Sequence, residues 1–410
     1  MSMPKVLQIN TCLTQSTGRI AQQIGEKAID EGWESYIAYP ARVQETESKS
    51  SLIKIGTRFD QYFHALLSRL FDCCGFLSFR ATNQLISTIR AIQPDIIHLH
   101  NIHGYYLNIP LLFDFFKKAG IPVVWTLHDC WGFTGHCVHY TSANCYKWRT
   151  GCYSCPRKKS YPASLLLDRS RHNYELKKRA YSNIRNLTIV PVSFWLGEVV
   201  NQSILNKYPI KVIQNGIDIN TFSPREERVK DIKQKYNIKG KFIILGVATG
   251  WSEEVGLSTF IRLRKELPAD YSIVMVGCTP EIRNRLPDGI ICIERTNDTE
   301  ELAAIYTASD VLFNGSYQET FGLVTAEAMA CGTPVIVYNS TACPEIVNNE
   351  RGRIIPVGDF RRLIKAIESM RNLTHDERKQ MSKACVEYVR SNLNKDNKYQ
   401  EYIQLYKSLI

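Results

Sequence analysis

The stretch VLFNGSYQETFGLVTAEAMACGTPVIVY, residues 311–338, contains a complete strand–helix–strand pattern. The apolar run Val311–Phe313 predicts a buried strand, and a helix is predicted from near Phe321 to Gly332. A second apolar run, Pro334–Val337, opens with a proline, which cannot continue a helix. This order of elements predicts a parallel sheet that is covered by helices.

The same alternation of short apolar runs and amphipathic stretches continues along the chain of 410 residues. Such alternation is typical of doubly wound α/β domains, and we predict an α/β fold. Further strands are predicted at Val6–Asn10, Ser35–Ala38, Ile96–His100, Val123–Leu127, Leu187–Val192, Lys211–Gln214, Phe242–Val247 and Ser272–Val276. Further helices are predicted at Arg19–Glu31, Phe59–Leu70, Glu300–Ser309 and Phe360–Met370.

The length predicts at least two domains, since a domain usually has about 100–200 residues. We predict a Rossmann-like domain at 1–200 with a cysteine-rich insertion near 130–160, and a second Rossmann-like domain at 201–390. A C-terminal helix at 391–410 is expected to pack back on the first domain. Because ligands bind at the carboxyl ends of parallel strands, we expect the domains to face each other across a cleft that holds the substrates.

The net charge of +11 is concentrated in one segment. Residues 147–185 hold 11 basic and two acidic residues, so this basic stretch alone carries +9. It predicts an anionic partner such as a phosphate or an acidic membrane face, and a solvated helix face is the alternative. No aromatic-basic recognition motif is present, which argues against nucleic acid. No apolar run reaches about 18 residues and the start lacks a signal-peptide pattern, so we expect a cytoplasmic protein.

Two glutamates frame the predicted helix start, with Glu319 before it and Glu327 inside the helix. Between them, the amides of Phe321, Gly322 and Leu323 form a helix N-terminus, which favours an anion. The arrangement predicts a nucleotide-sugar site, with sugar at Glu319, diphosphate at the amides and ribose at Glu327. An ordinary strand–helix–strand unit with two surface glutamates is the alternative. A two-carboxylate hydrolase is disfavoured because Glu327 should lie a turn or more from Glu319.

The stretch closely resembles the donor signature of retaining glycosyltransferases of the family-4 type. That signature is Glu, seven residues and Glu, with Phe-Gly after the first and Ala-Met-Ala-x-Gly-x-Pro-Val after the second, and it is matched in full. The resemblance implies the GT-B arrangement and transfer of a sugar from a UDP- or GDP-linked donor with retention of configuration. It implies that Glu319 orients the transferred sugar and that Glu327 holds the ribose. The donor-binding residues that it implies are Thr320, Phe321, Gly322, Leu323 and Glu327.

The first half contributes three further candidate residues. Gly18 and Arg19 follow the first predicted strand and resemble the family's glycine loop, which implies contact with donor phosphate; a helix-start turn is the alternative. His128 directly follows another predicted strand and matches a family histidine that contacts the donor sugar. His98, His100 and His103 are interpreted as mostly structural, and a place on the acceptor side for one of them is the alternative.

Four cysteines, Cys137, Cys145, Cys152 and Cys155, lie close together in the sequence. Four thiolates suffice for a tetrahedral structural zinc, which we predict here because a long polar loop needs a fixed point to stay ordered. Free buried thiols and a redox Cys-x-x-Cys are the alternatives. Two histidines are alternative ligands, His136 and His139. The chain contains no Asp-x-Asp, so no cofactor is predicted for catalysis.

Residues 128–162 resemble a subgroup of these enzymes that builds bacterial exopolysaccharide, capsule or colanic-acid-type chains. The resemblance implies a polyprenyl-diphosphate-linked glycan as acceptor. It also implies peripheral contact with the inner face of the cell membrane. The basic stretch suits such an anionic, membrane-borne acceptor.

The loop after the predicted strand Phe242–Val247 departs from the family pattern. Val255 stands where the family usually has a lysine beside the donor diphosphate, and Gly250 or Trp251 stands near the place of an arginine. Losing a charge-assisted phosphate contact costs about 1.5–3 kcal/mol, unless Arg262, Arg264 or Arg19 compensates. Val255 therefore supports an alternative function, a catalytically weak GT-B scaffold or a glycan-binding partner protein. A nucleotide-binding oxidoreductase is disfavoured because a complete GxGxxG is absent.

Overall fold

The computed structural model describes residues 3–296 and 298–410 and divides into two compact units. The first unit comprises the chain up to Gln214 together with Asp396–Ile410, and the second unit comprises Asn215–Lys395. Each unit is built around a six-stranded sheet whose paired strands are all parallel. The predicted α/β fold with two Rossmann-like domains is confirmed.

Helices alternate with strands in the first unit. Its elements are β1 (Lys5–Ile9), α1 (Gln15–Asp30), β2 (Glu34–Pro40), β3 (Ser51–Ile55), α2 (Arg58–Phe71), α3 (Phe79–Ile92), β4 (Ile96–Leu99), α4 (Ile109–Ala119), β5 (Val123–Leu127), α5 (Ser170–Ala180), β6 (Leu187–Pro191) and α6 (Phe194–Val200). The strands β4, β5 and β6 are buried along their whole length, as expected for strands covered on both faces.

The second unit repeats this alternation. Its elements are α7 (Val229–Lys235), β7 (Phe242–Val247), α8 (Leu257–Glu266), β8 (Tyr271–Val276), α9 (Pro280–Arg283), β9 (Ile290–Ile293), α10 (Thr299–Thr307), β10 (Val311–Asn314), α11 (Leu323–Ala330), β11 (Val335–Tyr338), β12 (Gly352–Ile355), α12 (Phe360–Arg371) and α13 (His375–Asn392). The last helix, α14 (Lys395–Lys407), leads back into the first unit. Among the described residues, no helix is long and apolar enough to cross a bilayer.

Three strands that the sequence did not predict, β3, β9 and β12, all lie at sheet edges. The sheet orders are β3-β2-β1-β4-β5-β6 and β12-β11-β10-β7-β8-β9. Only one residue of β3 and one of β9 are buried. An edge strand packs against fewer neighbours, so its sequence does not need the apolar run by which buried strands are recognised.

The first unit extends beyond the predicted boundary at residue 200. Residues 209–213 run alongside β6: the N–H of Lys211 donates to the carbonyl of Ile189 at 3.0 Å, and the N–H of Ile213 donates to the carbonyl of Pro191 at 3.1 Å. These bonds hold the segment to the first sheet. The predicted strand Lys211–Gln214 is therefore an extension beside β6 and does not form a strand of the second sheet.

Helix α14 packs into the core of the first unit. Its side chains Tyr399, Tyr402 and Tyr406 are at most 2 % exposed and share a hydrophobic cluster with Val6 and Val124 of the sheet. Aromatic side chains of this size remove a large apolar area from water. The helix begins four residues later than the predicted residue 391, because α13 continues to Asn392.

Candidate active site

The turn between β10 and α11 places the predicted donor residues at the carboxyl end of a buried strand. Gly322 precedes the helix with φ of +92°, a conformation in which a side chain would be strained. Phe321 and Gly322 are buried, whereas Thr320 and Leu323 are partly exposed. The helix starts at Leu323, two residues after its predicted start. The first two residues of the helix, Leu323 and Val324, are partly exposed, whereas the rest of the helix is buried. An anion could therefore reach the free N–H groups at the start of the helix.

The loop that carries Glu319 is held by contacts to two other segments of the second unit. The N–H of Tyr317 donates to the carbonyl of Glu254 at 2.9 Å, and Nε2 of Gln318 donates to Oε2 of Glu254 at 2.9 Å. The N–H of Glu319 donates to Oγ1 of Thr341 at 2.8 Å. These bonds fix the backbone at the glutamate and just before it, so its side chain starts from a defined position.

Glu319 lies in an environment that favours its neutral form. The residue is partly exposed, and burial of its carboxyl group raises its pKa to about 7. Hydrogen bonds from Ser316 and Asn314 oppose this shift because they favour the carboxylate. A carboxyl group with a raised pKa in a loop at the carboxyl end of a strand is typical of a functional site.

Glu327 lies on the packed side of α11. It is 5 % exposed, and the hydroxyl of Tyr306 donates to its Oε2 at 3.3 Å. Leu323 and Glu327 are four residues apart and share one side of the helix. The second glutamate of the signature thus already has a protein partner, which sequence spacing did not predict.

The loop after β7 carries no cation at the two positions where the resemblance implies one. Val255 is partly buried and packs against the core of the second unit. Trp251 is a core residue, whose Nε1 donates to the carbonyl of Val276 at 3.0 Å. Its ring packs edge-on against Phe260 at 5.1 Å between centroids. The apolar character of both positions is therefore explained by packing.

Arg262 and Arg264 make other contacts and do not replace the missing lysine. Arg262 pairs with Glu266 one helix turn away, and its guanidinium stacks on Phe360 at 3.9 Å. Arg264 donates to the carbonyl of Tyr271 at 2.8 Å, at the start of β8 and thus at the opposite end of the sheet from the donor loop. The suggested compensation by these two arginines is wrong.

Gly18 lies inside the first turn of α1, and not in a loop before the helix as predicted. A Cβ atom at this position would lie 2.5 Å from the carbonyl carbon of Leu13, so glycine is required by the close approach of the backbone. Arg19 follows in the same turn and is partly exposed. Packing therefore accounts for Gly18, and the phosphate role of both residues stays a prediction.

His128 is partly exposed at the carboxyl end of β5 and contacts a chain of polar groups whose other members, His100 and Gln8, are buried. Its Nε2 lies 3.1 Å from Nδ1 of His100, and Nε2 of His100 lies 3.0 Å from Oε1 of Gln8. Desolvation lowers the pKa of His128 to about 4, so the ring is neutral at neutral pH. The Nε2 atom of Gln8 donates to the carbonyl of Ala21 at 2.9 Å, which leaves Oε1 as acceptor toward His100.

The remaining histidines of this region have structural partners, as interpreted from the sequence. His98 is fully buried, with Nδ1 at 2.5 Å from the hydroxyl of Tyr406 and Nε2 at 2.8 Å from Oγ1 of Thr126. His103 lies with Nε2 at 2.7 Å from Oδ2 of Asp129. Asp129 was missed, although it directly follows His128 at the end of a strand.

The four cysteines of the insertion, Cys137, Cys145, Cys152 and Cys155, line one small cavity. They do not form the predicted tetrahedral site in this structure: within 3–296 and 298–410, no three His, Cys, Asp or Glu side chains are arranged to hold a metal ion. Three of the four free thiols have hydrogen-bond partners within the protein. Cys155 is hydrogen-bonded to Cys137, and the N–H of Gly135 donates to Sγ of Cys152 at 3.1 Å. Metal binding at these cysteines stays a prediction.

The basic stretch is not wholly a solvated surface. Lys177 is 1 % exposed and donates to the carbonyls of Trp131 at 2.6 Å and Thr134 at 3.0 Å. Desolvation lowers its pKa to about 7. Lys177 therefore anchors the start of the cysteine-rich insertion, and one of the eleven cations is removed from the surface charge.

Comparison with protein families agrees with this arrangement. The family model of Glycosyltransferase Family 4 matches residues 17–221, which is half of the chain. The model of Glycosyl transferases group 1 matches residues 228–388, which include the donor loop and α11. The chain belongs to glycosyltransferase family 4. The predicted family is thereby confirmed.

Relatives and solved structures resemble this glycosyltransferase over almost its full length. It is 25% identical over 374 residues to WcaC of Escherichia coli K12, whose name assigns it to colanic acid biosynthesis as a glycosyl transferase; the match covers 88% of this chain and 89% of that one. Sucrose-phosphate synthase from Thermosynechococcus elongatus superposes with a TM-score of 0.71 at 18% identity, covering 99% of each chain. HepE of Anabaena, solved with UDP-glucose, superposes with a TM-score of 0.68 at 13% identity, covering 98% and 99%. These likenesses confirm the predicted GT-B fold and the resemblance to the colanic-acid subgroup.

Proposed function

We propose that this glycosyltransferase moves a sugar from a UDP- or GDP-linked donor to a growing lipid-linked glycan, with retention of configuration, in bacterial surface polysaccharide synthesis. The observation that carries the proposal is the turn from Glu319 to Leu323. It joins a carboxyl group of raised pKa to the N-terminus of a buried helix. A nucleotide-sugar needs these two features side by side, because its sugar is neutral and its diphosphate is anionic.

Each part of the donor has a candidate partner in this turn. The diphosphate would accept hydrogen bonds from the N–H groups at the start of α11, where Gly322 leaves the backbone open to close approach. Glu319 would accept hydrogen bonds from the sugar hydroxyls, and Glu327 from the ribose. The complexes of the structurally similar HepE with UDP and with UDP-glucose support a donor of this class.

Retention is proposed to occur without a protein nucleophile. Glu319 is fixed through its backbone by Thr341 and lies in a loop that is itself held by Glu254, as suits a residue that positions the sugar. In this mechanism the acceptor attacks on the face from which the nucleotide leaves, and the departing phosphate takes the acceptor's proton. Hydrogen bonds that strengthen in the transition state would make Glu319 matter for kcat more than for donor affinity.

The proposed acceptor is a glycan on polyprenyl diphosphate at the inner face of the cell membrane. The similarity to WcaC supports a surface polysaccharide. The basic stretch supports an anionic acceptor, since ten of its cations remain after buried Lys177 is set aside.

A screen of purified nucleotide-sugars tests the donor class. UDP-glucose, UDP-galactose, GDP-mannose and GDP-fucose are each incubated with the full chain, and release of the free nucleotide and the melting temperature are measured. We expect one nucleotide series to be hydrolysed and to raise the melting temperature, because a ligand of the folded state stabilises it. Nuclear magnetic resonance of the transferred anomeric carbon then tests retention. Inversion of that centre, or hydrolysis undiminished by Glu319→Gln, would contradict the proposal.

Val255 favours a second candidate, a GT-B scaffold with little catalytic activity. The position beside the donor turn is apolar and packed, and neither Arg262 nor Arg264 supplies the missing charge. The two candidates differ in donor hydrolysis. A scaffold would be stabilised by UDP or GDP and would hydrolyse none of the four donors. The enzyme would be stabilised and would also hydrolyse one nucleotide series.

A further inference from the structure

Helix α2 buries polar side chains and exposes apolar ones. The residues on its buried face are polar, Gln61, His64 and Ser68, each 1 % exposed. A helix at the surface of a protein in water normally shows the opposite pattern. The exposed face is apolar: Phe59 is 76 %, Tyr62 66 %, Phe63 52 % and Leu66 56 % exposed.

Hydrogen bonds on the buried face hold the helix in this orientation. Oε1 of Gln61 accepts from the N–H of Arg42 at 3.0 Å. Nδ1 of His64 lies 2.7 Å from Oγ of Ser78, and the N–H of Gly75 donates to Nε2 of His64 at 3.3 Å. Desolvation lowers the pKa of His64 to about 4, so its ring is neutral and suited to this dry contact. Turning the apolar face inward would leave these buried groups without partners, which is costly.

Three consecutive leucines continue the apolar surface beyond the end of α2. The N–H of Leu165 donates to the carbonyl of Arg69 at 2.6 Å, and the N–H of Leu167 donates to the carbonyl of Leu70 at 3.2 Å. The side chains of Leu165 and Leu166 are each 63 % exposed and that of Leu167 is 47 % exposed. We call these leucines and the four exposed residues of α2 the apolar face. Its members are Phe59, Tyr62, Phe63, Leu66, Leu165, Leu166 and Leu167.

Cations border the apolar face. Arg58 and Arg69 are exposed at the two ends of α2, and Asp60 near Arg58 is occupied in capping the helix through Thr57. On the leucine side, Nζ of Lys158 donates to the carbonyl of Leu166 at 3.3 Å. The leucines themselves lie within the basic stretch, and the acidic residue that follows them, Asp168, accepts hydrogen bonds from the N–H groups of Cys155 and Ser170. The face therefore combines large apolar side chains with a positive border.

We propose that the apolar face docks on a lipid bilayer that contains anionic headgroups. Aromatic and leucine side chains on one side of a helix, with arginine and lysine beside them, are the composition of helices that lie in a bilayer interface. The positive border complements acidic headgroups, and so favours a bilayer over a neutral protein surface. The inference deepens the proposed function, on whose membrane-borne acceptor it rests, and names the surface that makes the contact.

Vesicle flotation with the full chain tests the proposal. Vesicles of phosphatidylglycerol with phosphatidylethanolamine are compared with vesicles of phosphatidylcholine, at low and at high salt. The test variants are Phe59→Ser/Phe63→Ser and Leu165→Ser/Leu166→Ser. The matched control is Ile354→Ser/Val357→Ser, which removes two apolar side chains that are 41 % and 45 % exposed on the second unit.

We expect the wild-type chain and the control to float with the anionic vesicles, and less so at high salt. Each test variant should bind at least about tenfold more weakly, since one large apolar side chain transferred from water has that effect or more. Melting temperatures equal to the wild type would show that the test variants are folded, as expected for exposed positions. A variant that unfolds is replaced by the milder Phe63→Gln.

Two results would overturn the proposal. One is flotation of folded test variants at the wild-type level. The other is a wild-type dimer in analytical ultracentrifugation that the test variants convert to monomers, without binding of any chain to vesicles; the face would then join two copies of the chain. Donor hydrolysis measured without lipid separates this question from the proposed function. Its absence with intact flotation refutes the enzyme alone, and its presence without flotation refutes the docking surface alone.

Discussion

Nε2 of His128 lies 3.1 Å from Nδ1 of His100, whose own Nε2 lies 3.0 Å from the side-chain oxygen of Gln8. Gln8 is fully buried, and its amide nitrogen donates to the carbonyl of Ala21. Its Oε1 therefore accepts a hydrogen bond from the protonated Nε2 of His100. Nδ1 of His100 is then an acceptor, and the neutral His128 donates to it through Nε2. A glutamine in the first strand thus selects the tautomer of the candidate sugar-contacting histidine.

We predict that Gln8→Glu raises the acid limb of the pH–activity profile. In the wild type, desolvation holds the pKa of His128 near 4, so protonation of its ring should not reduce transfer above about pH 4. The new carboxylate would lie beside His100, which in turn contacts His128, and it would favour the charged form of the His128 ring. The pH at which activity falls on the acid side should therefore move toward neutral. The profile of kcat is measured from pH 4 to 9 with the best donor in chains that also carry Glu319→Gln, so that ionisation of Glu319 near pH 7 does not hide the limb that belongs to His128. An unshifted profile in a folded variant would show that Gln8 does not act through His128.

We predict that Glu319→Gln lowers kcat on the order of a hundredfold and leaves donor affinity nearly unchanged, the scale found for one group that acts in the transition state. Because the pKa of Glu319 is raised to about 7, wild-type activity should rise as pH passes through about 7, where the carboxylate forms. The variant should lack this rise. Steady-state kinetics at pH 6 and pH 8 give both results.

The same substitution makes a stability prediction of definite sign. The folded chain binds the proton of Glu319 more tightly than the unfolded chain, whose pKa is near 4.5. Wild-type stability should therefore fall as pH rises from 4.5 to about 7, and Glu319→Gln should remove this loss. We expect the variant to melt above the wild type at pH 8 and equal to it at pH 4.5. A variant that melts lower at both pH values would contradict the buried, protonated state.

We predict that Glu327→Ala weakens nucleotide binding about ten- to hundredfold with little change in kcat, because contacts to ribose act alike in the ground state and the transition state. Titration calorimetry with UDP and GDP measures the effect. Removing the carboxylate also strands the Tyr306 hydroxyl, which donates to it at 3.3 Å. Glu327→Gln is the control, since it keeps an acceptor for Tyr306. Equal nucleotide affinity in both variants and the wild type would place Glu327 in the packing of α11 alone.

The sequence predicted local elements well where one segment determined its own structure. The strand, turn and helix around Gly322 follow from an apolar run, a glycine and a proline that lie within 28 residues. The contacts that hold Glu319 were not predictable in this way. Thr341 and Glu254 reach its loop only because β7, β10 and β11 are neighbours in the sheet, and neighbours in a sheet are not adjacent in sequence.

The net charge of a segment also does not show which of its cations are buried. Lys177 contributes to a basic stretch in the sequence and to the interior in the fold, since its ammonium group is held by two backbone carbonyls. The sequence predicted a helix at Phe59–Leu70, but it did not show that the polar face of this helix is the buried one. Periodicity indicates that Phe59, Tyr62, Phe63 and Leu66 share a face, and only the partners of Gln61 show that this face is turned to water.

We predict that Val255→Lys tightens donor binding about tenfold, if the diphosphate lies along the loop after β7 as in the implied family arrangement. Val255 is partly buried, and its carbonyl oxygen lies near Gly315, the first residue after β10. A lysine there would add an ammonium group beside the segment that joins β10 to α11. The dissociation constants of UDP and UDP-glucose are compared at low and high salt. Val255→Met is the control for length without charge. Equal affinities in all three chains would show that Val255 does not weaken donor binding.

Zinc analysis tests the cysteine-rich insertion. Cys137, Cys145, Cys152 and Cys155 line one cavity, and four thiolates around one zinc would tie the loop that follows His128 to itself. We predict about one zinc per chain in protein purified without chelator, and loss of zinc together with a lower melting temperature in Cys152→Ser, because metal binding adds to folding free energy. Cys385→Ala, a buried thiol of the second unit, should keep the zinc. Metal-free protein with full activity and an unchanged melting temperature after zinc is added would leave the four cysteines as packed thiols.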